Sequence, residues 1–420
     1  MTMAARNPEH KSVRALAWEG LQRWSRGGIF AETIVARAAQ ENKLSPADRA
    51  LLQAILYNCL RHLTRLDHIS RTLRPGKLEE SLRWLVMVGL CQLFVMHQAE
   101  HAAVSETVAL APKRARGVVN AILRNSIRRR AEFEAALSKL PLHVRYSTPE
   151  WLVQRWVAEF GPADTEAILA WNVQQAPLYA RMNPVHPVQE LPENWHPVEN
   201  LPLWFRIDGP VPLEAVKAGQ VYITDPSTRY CVELLAPQPG EKVLDACAAP
   251  GGKSAAMLAA TRGQLDLLAT DTAPHRLPAL RENLERAGGS SVTVEPFDWT
   301  QPCPQPWQGA FDAVLLDVPC SNSGVLQRRV DARWRLDAAE ITRLAALQLC
   351  IMQNAAAAVR PGGRLVYSTC SIDREEDRAV VDAFLAAHPE FTLERDYLAL
   401  PHREQADGAY AALLRRAAQS

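Results

Sequence analysis

The sequence holds no apolar run long enough to span a bilayer. Its longest, from Trp84 to Met96, is interrupted by Gln92 and falls well short of the roughly 20 residues a membrane helix needs. A buried helix is the better reading, and no membrane partner is expected. The opening, MTMAARNPEHKS, has no apolar stretch, which argues against a secretory signal. None of the eight cysteines (Cys59, Cys91, Cys231, Cys247, Cys303, Cys320, Cys350 and Cys370) stands in a CxxC pair, and no HExxH occurs. A zinc ribbon or a zincin site therefore has no motif, and no metal is expected. Scattered cysteines in a long chain suit a reducing compartment, so a cytoplasmic protein is expected, in which a special cysteine is catalytic rather than bridging. GxGxxG and GxxxxGKS/T are also missing, which disfavours dinucleotide and P-loop readings. No repeat of fixed period occurs.

Net charge is nearly absent as well: 47 Lys and Arg stand against 46 Asp and Glu, a total of +1. That total hides a split. Residues 1–145 carry 23 basic against 12 acidic side chains (+11), and residues 146–420 carry 24 against 34 (−10). A basic front joined to an acidic back is a hint of nucleic-acid binding at one end. Within the front, Lys113, Arg114, Arg116, Arg124, Arg128, Arg129 and Arg130 fall in one stretch that contains no acid. Lys and Arg that meet phosphates release counterions and make binding salt-sensitive. A basic helical surface on its own is more often only a solvated face.

What is present divides the chain into three parts. Residues 1–140 show apolar residues at three- and four-residue spacing over 13–24, 31–41, 47–63, 78–96, 103–111 and 118–137, with almost no strand signal. Ser45-Pro46 followed by Asp48 marks a helix start. An all-α bundle is expected. Residues 141–235 are proline-rich, with strand candidates at 178–182, 204–207 and 221–223 and a helix near 151–160. They suggest a small α+β region. Residues 236–420 alternate strand candidates (242–246, 265–270, 292–296, 313–317, 364–368, 391–394, 410–414) with helices. That pattern predicts an α/β, mostly parallel, Rossmann-like sheet with its ligand site at the carboxyl ends of the strands.

Three features fall at those strand ends. The turn Cys247-Ala248-Ala249-Pro250-Gly251-Gly252-Lys253 joins a strand to a helix start, where small residues let the backbone approach a ligand and free amides point at it. Asp271 ends the next strand, about 20 residues on, where an acid can accept from ribose hydroxyls. Asp298 follows the third strand and can accept from an adenine amino group. Together they suggest a nucleoside-like cofactor. The fourth strand runs through Asp317 into Val318-Pro319-Cys320, and the fifth into Thr369-Cys370-Ser371. Carbon 5 of cytosine is a poor nucleophile until a thiolate adds to carbon 6. The adduct then attacks an electrophilic methyl group, loses the carbon 5 proton and ejects the thiolate. Two cysteines, Asp317 and a nearby Lys253 meet the needs of that chemistry.

VLDACAAPGGKS (243–254), LDVPCSNSG (316–324) and LVYSTCSIDREED (365–377) resemble, in order, the motifs of the Sun/Fmu-type RNA cytosine carbon-5 methyltransferases. DRALLQAILYNCLRHLTRLD (48–67) and GVVNAILRN (117–125) resemble the NusB-like RNA-binding domain of its small-subunit ribosomal RNA subgroup. YSTPEWLVQRW (146–156), PLYARMN (177–183) and VYITDPST (221–228) resemble that subgroup's middle region. The resemblance implies a NusB-like bundle over 1–140, a linking α+β region over 141–235 and an S-adenosyl-L-methionine-dependent methyltransferase domain over 236–420. It implies cofactor contacts from Cys247 through Lys253 and from Asp271, Arg276, Asp298 and Asp317. It also implies Cys370 as nucleophile and Cys320 in product release, on a ribosomal RNA substrate, with no obligate protein partner. An assembly protein that merely keeps the cofactor fold, and an enzyme with a different acceptor such as transfer RNA, are the alternatives. Several positions depart from the family pattern. Asn322-Ser323 replaces Gly-Thr, and Arg329-Val330 replaces His-Pro. Thr224 replaces Gln, Arg374 replaces Pro, and Ala409 stands where an aromatic is common.

Overall fold

The computed structural model describes residues 11–289 and 291–418; the first ten residues, read above for a leader, lie outside them. The chain forms two compact units. One is built from the residues up to Gln174 together with Leu326–Arg335, and the other from Gln175–Val325 together with Leu336 onward.

The first unit has no strand among its described residues. Helices span Val13–Ser25, Ala31–Glu41, Pro46–Arg61, Leu63–Leu73, Glu80–Phe94, Glu100–Leu110, Arg116–Arg128 and Arg130–Ala136, and a longer one, Glu150–Asn172, bends at Gly161 (φ 78°). Ser45 caps its helix by accepting from the Asp48 amide at 3.1 Å, with Pro46 in the first turn. The apolar run from Trp84 to Phe94 is buried at every residue, which is why it lacks amphipathic periodicity. Gly89 lets a neighbour close in: a Cβ there would lie 2.8 Å from a Leu123 methyl. The periodicity over 118–137 predicted one helix, but the backbone breaks at Arg129 (φ −101°, ψ 15°). The helix Leu63–Leu73 is one that periodicity missed.

Residues 326–335 bind into this helical unit. Asp331 accepts from the Ala31 amide at 2.7 Å, at a helix start whose own N-cap residue, Phe30, has no capping side chain. Val330 joins the apolar core. Arg333 is wholly buried, and its guanidinium donates to the carbonyls of Leu326 (2.9 Å), Asn172 (3.1 Å) and Ser147 (3.4 Å). Burial, and then the Arg61 charge, pull its pKa down to about 9.

The second unit carries two sheets. Strands β1 (Leu178–Met182), β2 (Trp195–Pro197), β3 (Trp204–Ile207) and β4 (Val221–Ile223) form a small antiparallel sheet in the order β2-β3-β1-β4; β2 had no clear sequence signal. Strands β5 (Lys242–Asp245), β6 (Asp266–Asp271), β7 (Ser291–Pro296), β8 (Phe311–Asp317), β9 (Val359–Thr369), β10 (Phe391–Ala399) and β11 (Ala409–Arg416) form the other, ordered β10-β11-β9-β8-β5-β6-β7. β5 to β9 pair in parallel, while β11 runs antiparallel to both β9 and β10. Apolar clusters cover both faces. The strand order reverses at β5, and in open α/β sheets the ligand crevice opens at such a switch point.

Candidate active site

The turn after β5 is shaped by its small residues. Gly251 has φ 105° and seals against Leu280, and Gly252 lies under the Tyr222 ring, 3.1 Å from where a Cβ would sit. The Ala248 amide donates to the Thr270 carbonyl at 2.8 Å. Asp271, at the end of β6, accepts from the Ala249 amide (3.1 Å) and the Ala273 amide (3.0 Å). Two carboxylate oxygens offer about four lone pairs, so acceptor capacity remains. Arg276 is half exposed, lies 3.5 Å from Asp271 and donates to the Ala249 carbonyl. Asp298 is exposed and folds back on the Thr300 amide at 2.9 Å. None of Asp271, Arg276 and Asp298 is among the residues that line the cleft at the switch point.

That cleft, of about 230 Å³, is lined by Cys247 to Pro250, Gly252 and Lys253, together with Asp245, Asp317, Thr224 and Tyr222. Lys253 Nζ donates to Asp317 Oδ2 at 2.5 Å. Burial is the largest single influence and works to lower the Lys253 pKa, but the charge and hydrogen bond of Asp317, together with the nearby Cys231 and Cys370, outweigh it and the net shift is upward. Asp245 was not singled out from sequence, because it closes a core strand and reads as part of it. It is fully buried; Ser254 donates to Oδ2 at 2.6 Å, and Oδ1 has no partner. Burial pushes its pKa up to about 7. A buried acceptor left open next to a second carboxylate is a donor set suited to a cationic ligand. S-adenosylmethionine, with its sulfonium and ammonium groups, is such a ligand.

The parallel register Asp317↔Ser368 sets the ends of β8 and β9 side by side. It brings Cys320 Sγ to 3.0 Å from Cys370 Sγ. The Cys320 thiol is pushed well up, first by its hydrogen bond to Cys370 and then by burial. The residues that depart from the family pattern hold this pair. Asn322 sits at φ 62°, a left-handed conformation Asn tolerates better than most side chains, so it serves where the family has glycine. Its amide donates to the Cys320 carbonyl at 2.9 Å, and its Oδ1 accepts from the Cys370 thiol at 3.4 Å. Ser323 Oγ meets Ser371 Oγ at 3.0 Å and accepts from the Ile372 amide at 3.1 Å. Gly324 donates to the Cys370 carbonyl at 3.0 Å and accepts from the Gly408 amide at 2.8 Å. Glu376, also missed from sequence, is buried behind the pair and accepts from the Ser321 amide (2.8 Å), Ser371 (2.8 Å) and Gln348 (2.9 Å). The other departures sit away from the sulfurs: Arg329 and Val330 in the segment of the helical unit, Arg374 exposed, and Ala409 at the start of β11.

In the helical unit, Lys113, Arg114, Arg116, Arg124 and Arg128 are exposed. Arg129 is engaged by Glu132, Arg130 by Glu100 and, more loosely at 3.7 Å, Arg114 by Glu79, so Arg129 and Arg130 in particular are less available to a phosphate.

A Rossmann-like sheet with a small-residue turn and strand-end acids defines the methyltransferase class. Family models agree along the chain: 16S rRNA methyltransferase RsmB/F matches residues 232–415, the NusB family 11–128, and an RsmF/B-like ferredoxin-like domain 148–190. Ribosomal RNA small subunit methyltransferase B of Citrobacter koseri is 34% identical over 96% of this chain and 99% of its own length. That of Vibrio cholerae is 37% identical over 90% and 92%. Among solved structures, PH0851 superposes with a TM-score of 0.76 at 23% identity, covering 99% of this chain and 100% of that one. NSun6 from Pyrococcus horikoshii, solved with SFG, gives 0.57 at 18% identity over 64% of this chain and 99% of that one. The chain belongs to the ribosomal RNA small subunit methyltransferase B family, whose members are S-adenosylmethionine-dependent ribosomal RNA methyltransferases. No helix among the described residues is long and apolar enough to cross a membrane.

Proposed function

We propose that this chain methylates carbon 5 of one cytosine in small-subunit ribosomal RNA, in the cytoplasm, through a covalent cysteine adduct. The observation that carries this reading is the pair of sulfurs 3.0 Å apart at adjacent strand ends, next to a cleft holding the Asp317–Lys253 pair. Residues 247–253, Asp245, Asp271 and Asp317 would hold S-adenosylmethionine, with Arg276 supporting Asp271 and Asp298 reaching the adenine. When bound, the cofactor supplies an electrophilic methyl group.

The Cys320 and Cys370 sulfurs lie 3.0 Å apart, and the family resemblance assigns the attack to Cys370. Its thiolate forms a bond to carbon 6, and the carbon 5–carbon 6 π electrons move into the ring as a proton reaches ring nitrogen 3 from the Asp317–Lys253 pair. Carbon 5 then carries enough electron density to take the methyl group. Loss of the carbon 5 proton to a base, with the nitrogen 3 proton returning to the Asp317–Lys253 pair, restores the double bond and expels Cys370 as a thiolate, which the Cys320 thiol can protonate to complete product release. The target base must leave its stack to reach the sulfur. Lys113, Arg114, Arg116, Arg124 and Arg128, with lesser parts for Arg129 and Arg130, would bind the RNA backbone.

The test is adduct trapping. Cys370→Ala should lose methyl transfer and form no covalent RNA complex, while Cys320→Ala should accumulate one that resists denaturing electrophoresis. The reverse pattern would exchange the two roles. Bisulfite sequencing of RNA from a deletion strain should show the loss of one small-subunit cytosine signal; a lost transfer RNA signal instead would move the acceptor.

A further inference from the structure

A second cavity, of about 260 Å³, adjoins the cofactor cleft and shares Tyr222, Ile223 and Pro250 with it. It lies between β1, β4 and helix Leu277–Arg286, and its lining includes Arg181, Asn183, Tyr222, Asn283 and Arg286 but no carboxylate. Arg181 comes from the PLYARMN motif, whose arginine has no part in the chemistry above. It pairs across the sheet with Tyr222, so both side chains leave the same face. The Arg181 Nε is buried without a partner, and burial pulls the guanidinium down to about 10. Arg286 adds a second positive charge at the same cavity, braced by Asn283. Burial is the main cause that pushes the Tyr222 pKa up, so its hydroxyl stays a donor.

The walls are fixed. Asn183 Nδ2 donates to the Gly219 carbonyl at 2.9 Å and the Ala287 carbonyl at 3.3 Å, tying the small sheet to the helix end. Gly219 (φ 67°) passes so close that a Cβ would meet the Arg286 carbonyl at 2.2 Å. Arg286 also has Glu282 at 3.8 Å, outside the lining, but the buried, unpaired N–H of Arg181 opens into a cavity lined by a second guanidinium and no carboxylate, a setting that suits an anion. The volume is below that of pockets for whole drug-sized ligands, so it suits a single group.

We propose that this cavity binds one backbone phosphate of the RNA substrate, held by Arg181 and Arg286 with Tyr222 as a further donor. The contact would anchor the strand beside the cleft where the methyl donor is held. The inference rests on the ribosomal RNA reading. The other anion within reach is the carboxylate of the cofactor's amino-acid end, and the test separates the two.

In the full-length protein, the affinity of Arg181→Gln for small-subunit ribosomal RNA transcript should fall about tenfold near physiological salt. The slope of log affinity against log salt should drop by about one. S-adenosylmethionine affinity should not change. Arg181→Lys should recover part of the RNA affinity, which a purely structural role for Arg181 would not predict. Thermal midpoints identify any variant that fails to fold, and Arg286→Gln then gives the same readout from the rim. Unchanged RNA affinity and salt slope in both variants overturn the proposal. So does a loss of cofactor affinity with RNA binding intact, which assigns the cavity to the carboxylate. If the wild-type protein itself methylates no RNA cytosine, the fault lies with the reading of the reaction, not with this cavity.

Discussion

At the scale of single residues, the sulfur pair depends on backbone that tolerates no added atoms. A Cβ at Gly324 would lie 2.5 Å from the Gly408 carbonyl oxygen and 2.9 Å from that of Cys370. Both obstacles are main chain, so Gly324→Ala has to move the loop that carries Cys320 or the one that carries Cys370. Misplacing reacting atoms by about 1 Å can cost on the order of a hundredfold in rate. Gly324→Ala should therefore lose methyl transfer by at least that factor while cofactor binding persists; near-normal single-turnover rates would refute the geometry. Asp245 makes a different prediction. Its carboxyl titrates near 7 in the fold because it is buried, against about 3.9 in an unfolded chain. Between those values the unfolded chain releases this proton and the fold keeps it, so this group's contribution to stability falls as pH rises from 4 to 7 and stays low above. Asp245→Asn should be the more thermostable protein above pH 7, and the difference should vanish below about pH 4. The same variant should bind S-adenosylmethionine more weakly. Melting curves across pH, with and without cofactor, check both halves.

At the scale of elements, the segment Leu326–Arg335 follows the Cys320 loop in sequence yet completes the helical unit. Asp331 supplies the cap that helix Ala31–Glu41 lacks locally. Losing an N-cap typically costs about 1 kcal/mol, and this one is buried, so Asp331→Ala should destabilise the helical unit by about 1–2 kcal/mol in denaturant titration. An unchanged midpoint would mean that the Ala31 amide finds another acceptor. The helix starting at Pro46 was readable because its cap, proline and first-turn acid are contiguous. The cap of Ala31–Glu41 was not, because its acceptor lies 300 positions away. For the same reason, Arg329-Val330 read only as a departure from the family pattern, yet Val330 belongs to the apolar core of the helical unit.

At the scale of the whole molecule, the charge split acquires two sites of opposite demand. The acidic part holds the carboxylates of a cleft suited to a cationic cofactor, and the basic front carries an exposed stripe with Arg116, Arg124 and Arg128 on one helix. Neutralising Lys113, Arg116, Arg124 and Arg128 together in the full chain should weaken RNA binding at low salt and cut the salt slope by about three to four. Cofactor affinity should be untouched. An unaltered slope would return the stripe to the status of a solvated face.

Sequence alone determined the class of fold, the order of the motifs and the residue types available for chemistry, because periodicity, small-residue turns and strand-end acids are local signals that survive without coordinates. It also singled out both cysteines and Lys253 as candidates. Tertiary structure decided what those residues meet. The parallel register of β8 and β9 sets the two sulfurs 3.0 Å apart. Burial, which no local pattern encodes, singles out Asp245, Glu376 and Arg181. Packing between distant segments turns Asn322 and Ser323 from departures into supports of the sulfur pair. Contacts of this kind depend on which strands become neighbours, and that is settled by the fold as a whole.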